Sequence, residues 1–366
     1  MKHTPSPFKG RGASENPPNR FERLSSHPDP EPGTEWDESD DLPRVRTNLL
    51  RDPTRTILAR NDSPDVGFTV SVNPYRGCEN GCVYCYARPT HEWLGFSAGL
   101  DFETQILVKD QAPHLLRAAL ASPGWQPQVI AVSGVTDPYQ PIERRLQLTR
   151  GCLEVLTEFC NPVAIVTKSA LITRDTDLLT QLAQCNAVAV LISITTLDPQ
   201  LARRMEPRAS APAKRLDTIC LLAHAGIPVG VNVAPIIPGL TDSETPAILR
   251  AAAAAGAQFA GHTIVRLPYG VGDLFTHWLD THYPDRAKKV LNKIRSIRNG
   301  KLNDARWRRR MRGEGAFADS VHALFALVCR KVGLATRGPH LSTAAFRRPG
   351  EGRQLRLFPL LSSDFS

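Results

Sequence analysis

Three cysteines close together are the residues best able to do chemistry in this chain. Cys78, Cys82 and Cys85 stand at spacing C-x3-C-x2-C. Thiolates are soft ligands that suit zinc or iron–sulfur clusters. Gly77 and Gly81 let the loop fold tightly, so three sulfurs can converge on one point. The ligand count separates the two metals. A closed zinc site wants four protein ligands, and His91 or Glu92 would have to supply the fourth. Three thiolates on a [4Fe-4S] cube leave one iron open to a small molecule.

A βα array must position these thiols. Short β-branched runs at 68–72, 104–108, 128–133, 163–167, 188–193, 229–234 and 262–267 predict strands, with helix-like stretches at 114–121, 144–159, 175–184, 213–225 and 244–255 between them. Asp175 and Asp242 are expected N-caps, and Gly226 and Gly256 sit where helices should stop. Strands separated by helices imply a parallel sheet. Six or seven units fit a full or partial barrel, and an open doubly wound sheet shares the local pattern. In a barrel, functional groups gather at the C-terminal ends of the strands, where the cysteines, Thr136, Lys168 and Ser193 fall.

The rest of the chain is organised around that array. Residues 1–50 hold eight prolines, an acidic run and few aliphatics, which predicts a disordered N-terminal tail. The barrel is expected over 51–270, a basic helical extension over 271–335 and a flexible C-terminal tail over 336–366. The opening MKHTPSPFKGRG lacks an apolar h-region, and the most apolar window, 247–260, is too short to span a bilayer. The expectation is a cytoplasmic protein with no membrane segment, in which clustered cysteines serve metal or catalysis rather than disulfides.

Longer blocks accompany the cysteines: 71–109 around the triad, TDPYQPIE at 136–143, TKS at 167–169, ISITTLD at 192–198, MEPRA at 205–209 and VAPIIPGLTD at 233–242. With Tyr84 before the last cysteine, they resemble the radical S-adenosylmethionine (SAM) superfamily over about residues 65–330. Within it they resemble the spore photoproduct lyase-like group, particularly bacterial members of unassigned substrate. The resemblance implies an α/β fold, a partial (βα)6 TIM-type barrel. It implies SAM bound to the open iron of a 4Fe-4S cluster through its amino and carboxylate groups. An external one-electron reductant would then drive its cleavage to methionine and a 5′-deoxyadenosyl radical. It also implies that Lys168 pairs the SAM carboxylate and that Tyr84, Thr136 and Ser193 donate hydrogen bonds to SAM. Glu206 and Arg208 are candidates for the substrate side or for a structural ion pair.

One departure bears on chemistry. Spore photoproduct lyases carry a hydrogen-donor cysteine just before a T/S-x-D turn, where this chain has Gly134 and Val135 ahead of Thr136 and Asp137. The remaining cysteines, 152, 160, 185, 220 and 329, fall in or at the ends of predicted helices. A tyrosine relay through Tyr86 or Tyr139 is the alternative for this chain.

The formal net charge of +9 favours a polyanionic partner. The window 286–312 concentrates twelve Lys and Arg around Trp307 against the single acid Asp304, and predicts nucleic-acid contact. Gln354-Leu355-Arg356-Leu357-Phe358 resembles the peptide by which bacterial repair proteins dock on the DNA sliding clamp. These features together predict a lyase-like radical SAM enzyme acting in DNA repair or nucleic-acid modification. The rival readings are a radical SAM enzyme for a peptide or small molecule, and a non-catalytic zinc-stabilised nucleic-acid-binding module.

Overall fold

The computed structural model describes residues 8–21 and 45–349. Its strands are β1 (Asn48–Arg51), β2 (Leu58–Arg60), β3 (Val70–Val72), β4 (Tyr75–Arg76), β5 (Gln105–Val108), β6 (Ile130–Val132), β7 (Val163–Thr167), β8 (Val188–Ser193), β9 (Val229–Ile236) and β10 (Phe259–Ile264). Seven form one sheet in the order β10-β9-β8-β7-β6-β3-β2. Six of these run parallel, and β2 closes the edge antiparallel to β3. The result is a partial (βα)6 barrel of the expected kind, open between β10 and β2.

The parallel strands read as nearly unbroken apolar runs because both faces are covered. Val70, Val72, Ile130, Val132, Val163, Ile165, Val188, Val190, Val229 and Val231 are all buried. Outer helices Ala112–Ala121, Leu148–Phe159, Thr176–Gln184, Pro212–His224 and Thr245–Ala254 pack against them through one apolar face each.

Four expectations need correction. The run at 104–108 is no barrel strand: β5 pairs with β1 and β4 in a separate three-stranded sheet. The predicted helix 144–159 is broken at Gln147, whose φ of 53° splits it into Glu143–Leu146 and Leu148–Phe159. Asp175 sits at the N-cap position but makes no cap bond, because Arg150, Arg174 and Tyr139 take its carboxylate. The basic window 286–312 is only half helical: helix Pro284–Ser296 stops before Asn299 and Gly300, both at positive φ, and 306–312 is a run of turns.

Two expected tails are partly ordered. Residues 8–21 and 45–51 pack on the barrel through bonds described below. In the expected C-terminal tail, Ser342 N donates to Asn186 O, Arg347 N donates to Phe159 O, and Phe346 packs on Phe159. These contacts lie where strands β7 and β8 begin, at the end of the barrel opposite the cysteines. Gln354, Leu355, Leu357 and Phe358 lie outside the described residues.

Helix Ala316–Val332 covers the β10 edge through a histidine pair. His262 Nε2 and His322 Nδ1 lie 2.6 Å apart, so one ring donates while the other must stay neutral to accept. Burial, reinforced by His322 and Arg312, holds His262 down at about 4. An unfolded histidine titrates near 6.5 and takes up a proton that the folded one refuses. Stability is therefore intact above pH 6.5 and declines as pH falls towards 4, by on the order of 2 kcal/mol. The melting temperature followed from pH 7 to 4.5 should fall less steeply in His262→Gln than in the parent chain.

Candidate active site

The cysteine loop leaves the sheet after β3 and turns on glycines. Gly77 and Gly81 have φ of 81° and 68°, and a Cβ on Gly77 would meet His91 at 2.8 Å. Cys78 N donates to Phe102 O, Val83 N to Met205 O and Cys85 N to Cys82 O. Cys78 and Cys82 are buried, Cys85 is half-buried, and all three thiols are free. Burial pushes each thiol's pKa up; Asp137 adds to this at Cys78 and Glu206 at Cys82, while Arg88 opposes it at Cys85.

The donor set fits an iron–sulfur cluster better than a closed zinc site. His91 Nε2 lies 2.8 Å from Gln105 O, leaving Nδ1 buried without a hydrogen-bond partner, while Glu92 is paired with Arg20 at 2.6 Å and so is engaged elsewhere. Among the described residues, no three His, Cys, Asp or Glu side chains close on a single metal ion. Thr136 Oγ1 and Asn80 Oδ1 are buried without a hydrogen-bond partner, leaving polar atoms free for an incoming group.

The TDPYQPIE block holds this loop in place. Asp137 accepts from Asn80 Nδ2 at 3.0 Å, Thr167 Oγ1 at 2.6 Å and Lys168 N at 2.8 Å, so one carboxylate ties the cysteine loop to the ends of β6 and β7. Gln140 accepts from Glu79 N and donates to Gly77 O. Glu79 in turn accepts from Ile142 N at 2.6 Å and from Arg208 Nη1 at 2.9 Å. Reading the sequence for cofactor donors missed Asp137, Gln140 and Glu79. Their signal was two acids and one amide in tight turns, Glu79 between the loop glycines, where backbone groups ask for fixed partners.

A second buried network faces Cys82 and is centred on Glu206. Tyr84 Oη and Arg215 Nη2 donate to its carboxylate, Thr195 Oγ1 lies 2.7 Å away, and Lys168 Nζ is 3.2 Å away. Burial pushes the Glu206 carboxyl up, but Arg215 and Lys168, with the Tyr84 and Thr195 hydrogen bonds, outweigh it and hold the group below the usual carboxylate range. Lys168 Nζ also donates to Ala234 O at 2.9 Å. Arg215 further donates to Ser193 O at 2.9 Å, so the strand end carrying Ser193 belongs to the same network. Arg215 and Thr195 were not predicted: a buried arginine on an outer helix has no sequence signature until its partner is known.

The remaining predicted residues divide. Tyr86 is 47% exposed beside Cys85, and its hydroxyl donates to Gly134 O. Tyr139 is fully buried with its hydroxyl donating to Asp175, so the structure does not bring it to the cysteines. Arg208 sits in the Glu79 ion pair. Cys152, Cys160, Cys185, Cys220 and Cys329 all lie on the outer helices or at their C-terminal ends, away from the strand ends that carry the triad.

From Tyr86 a row of two rings with two guanidiniums between them runs outward. Arg266 lies 5.0 Å over the Tyr86 ring, Arg310 is its charged neighbour, and Arg310 lies 4.0 Å over the half-exposed Trp307 ring. The basic segment is partly neutralised: Asp65 pairs Arg310, while Asp304 and Glu314 pair Arg306 and Arg309.

Residues 72–252 match the radical SAM superfamily domain. An uncharacterised protein of Mycobacterium tuberculosis is 39% identical over 226 residues, which cover 61% of this chain and 66% of that protein. An uncharacterised protein of Methanocaldococcus jannaschii is 28% identical over 222 residues, 61% of this chain and 79% of the relative. Among solved structures, spore photoproduct lyase complexed with dinucleoside spore photoproduct superposes with a TM-score of 0.56 at 16% identity, covering 79% of this chain and 81% of the lyase. A lyase variant with bound AdoMet and the same dinucleoside gives a TM-score of 0.52 at 15% identity, covering 79% and 80%. At this identity the likeness is one of fold.

Proposed function

The chain belongs to the radical SAM superfamily through its domain at residues 72–252, and we propose that it cleaves SAM reductively and turns the resulting radical on a nucleic acid, in DNA repair or base modification. Cys78, Cys82 and Cys85 would hold a 4Fe-4S cluster, which when bound supplies the electron that splits SAM.

The chain's own residues have separate tasks in this reading. Asp137, Gln140 and Glu79 fix the cysteine loop. Lys168 Nζ, held by Glu206, Thr195 Oγ1 and Ala234 O, would exchange one of these partners for the SAM carboxylate. Thr136, after β6, and Ser193, at the end of β8, offer hydroxyls on either side of β7. Tyr86, exposed beside Cys85, is placed to meet substrate. Tyr139 is reassigned to core packing. No helix among the described residues is long and apolar enough to cross a membrane.

The row Tyr86–Arg266–Arg310–Trp307 carries the nucleic-acid part of the proposal. Two half-exposed rings flanking a pair of guanidiniums offer stacking faces to unpaired bases and, at Arg266, charge to a phosphate, Arg310 being paired with Asp65. The segment at Gln354, Leu355, Leu357 and Phe358 is proposed to dock on a DNA sliding clamp.

Binding of a labelled single-stranded oligonucleotide, followed by anisotropy at two salt concentrations, tests this. Trp307→Ala should weaken binding about tenfold, and added salt should weaken it further. No binding at low salt, or affinity unchanged by Trp307→Ala, would turn the reading towards a peptide or small-molecule substrate.

A further inference from the structure

Residues 8–21 lie across the loop that carries the cysteines, and the contact is too close for a side chain at its centre. A Cβ on Gly12 would sit 1.7 Å from Gly81 O, the carbonyl between Cys78 and Cys82. A Cβ on Gly99 would sit 2.1 Å from Glu15 O on the same segment. Two backbones therefore run flush only because both positions are glycine.

The bonds at this contact converge on Glu103, which is fully buried. Gly12 N donates to its Oε2 at 2.9 Å and Ala13 N to its Oε1 at 2.8 Å. Arg88, also fully buried, pairs the same carboxylate and donates through Nε to Cys82 O at 3.0 Å. Arg11 donates to Glu103 O at 2.7 Å and to Val45 O at 2.8 Å. The far end is anchored independently. Leu100 N donates to Glu15 O, Ser97 Oγ donates to Pro17 O, and Asn19 Nδ2 donates to Glu92 O and Phe96 O. Arg20 pairs Glu92 at 2.6 Å.

We infer that residues 10–20 are a strap that locks the cysteine loop closed, with Glu103 as the positioning residue that relays the strap through Arg88 to Cys82. The strap adds no strand to the barrel sheet, so loosening it should free the loop without unfolding the barrel. Its effect on a bound cluster rests on the cluster reading above; its effect on the thiols does not.

The test uses the full-length chain carrying Gly12→Val, with Asn19→Ala as a milder second variant that leaves the Gly81 contact alone. In the metal-free protein, alkylation by iodoacetamide is followed by peptide mass mapping at Cys78, Cys82 and Cys152. Cys152 is fully buried in helix Leu148–Phe159 and reports global opening. Gly12→Val should label Cys78 and Cys82 about tenfold faster than the parent chain while Cys152 labels at the parent rate. After anaerobic reconstitution, iron loss to a ferrous chelator should accelerate in the same variant. Equal labelling rates in variant and parent would overturn the strap, and so would a parallel rise at all three cysteines. If Gly12→Val loses its far-UV circular dichroism, the same comparison in Asn19→Ala decides. A parent chain that takes up no iron would remove the cluster reading, and the labelling comparison would still judge the strap.

Discussion

Glu206→Ala should cost about 3–5 kcal/mol of folding stability, read as a lowered urea midpoint at pH 7. The carboxylate is buried among Arg215, Lys168, Tyr84 and Thr195, and Arg215 itself is almost wholly buried. Removing the acid leaves a guanidinium and an ammonium with no counter-charge in a site that excludes water. Glu206→Gln keeps the shape but not the charge and should fall between. The acid limb of the stability curve carries the same information. The folded carboxyl lies below its ordinary value, so its contribution is fully present above about pH 4.3, where an unfolded glutamate titrates, and is lost as pH falls below that. The slope in that range should be shallower in Glu206→Gln than in the parent. A midpoint within 1 kcal/mol of the parent for Glu206→Ala would show that the node is not what holds this end of the barrel together.

Cys82→Ala should abolish SAM cleavage, a drop of at least about a hundredfold, because a cube missing one protein ligand is no longer held. The fold should survive, since deleting one buried sulfur typically costs on the order of 1–2 kcal/mol. Cys152→Ala is the matched control: it removes a sulfur just as buried but on an outer helix, and iron content should stay at the parent value. Iron per chain and 5′-deoxyadenosine formed, measured side by side, separate the two. Equal loss in both variants would point to general instability rather than to a ligand.

The barrel was legible because each strand is short, apolar and β-branched, and the helices between them show one apolar face. β7 and β8 match their predicted bounds residue for residue. The run at 104–108 misled because its apolar pattern is the same whether it pairs in the barrel or beside it, and only pairing with β1 and β4 distinguishes them. The cysteine triad stood out in the sequence by its spacing and its place after the first strand of the array. What holds it did not. Asp137, Gln140, Glu79 and Glu103 are polar residues whose partners lie far away in sequence, and no periodicity marks them. The strap was hidden for the same reason. Residues 8–21 contain no Val, Ile, Leu or Met, so their composition reads as disorder, while their order comes from buried hydrogen bonds and close glycine contacts. Tyr139 shows the reverse error: it lies in a block rich in functional types, and its hydroxyl turns to Asp175 in the core.

Anaerobic reconstitution of the full chain with iron and sulfide, followed by dithionite and SAM, tests the central claim most directly. The account predicts about four irons and four sulfides per chain and the release of 5′-deoxyadenosine. One zinc per chain with no SAM cleavage would contradict it.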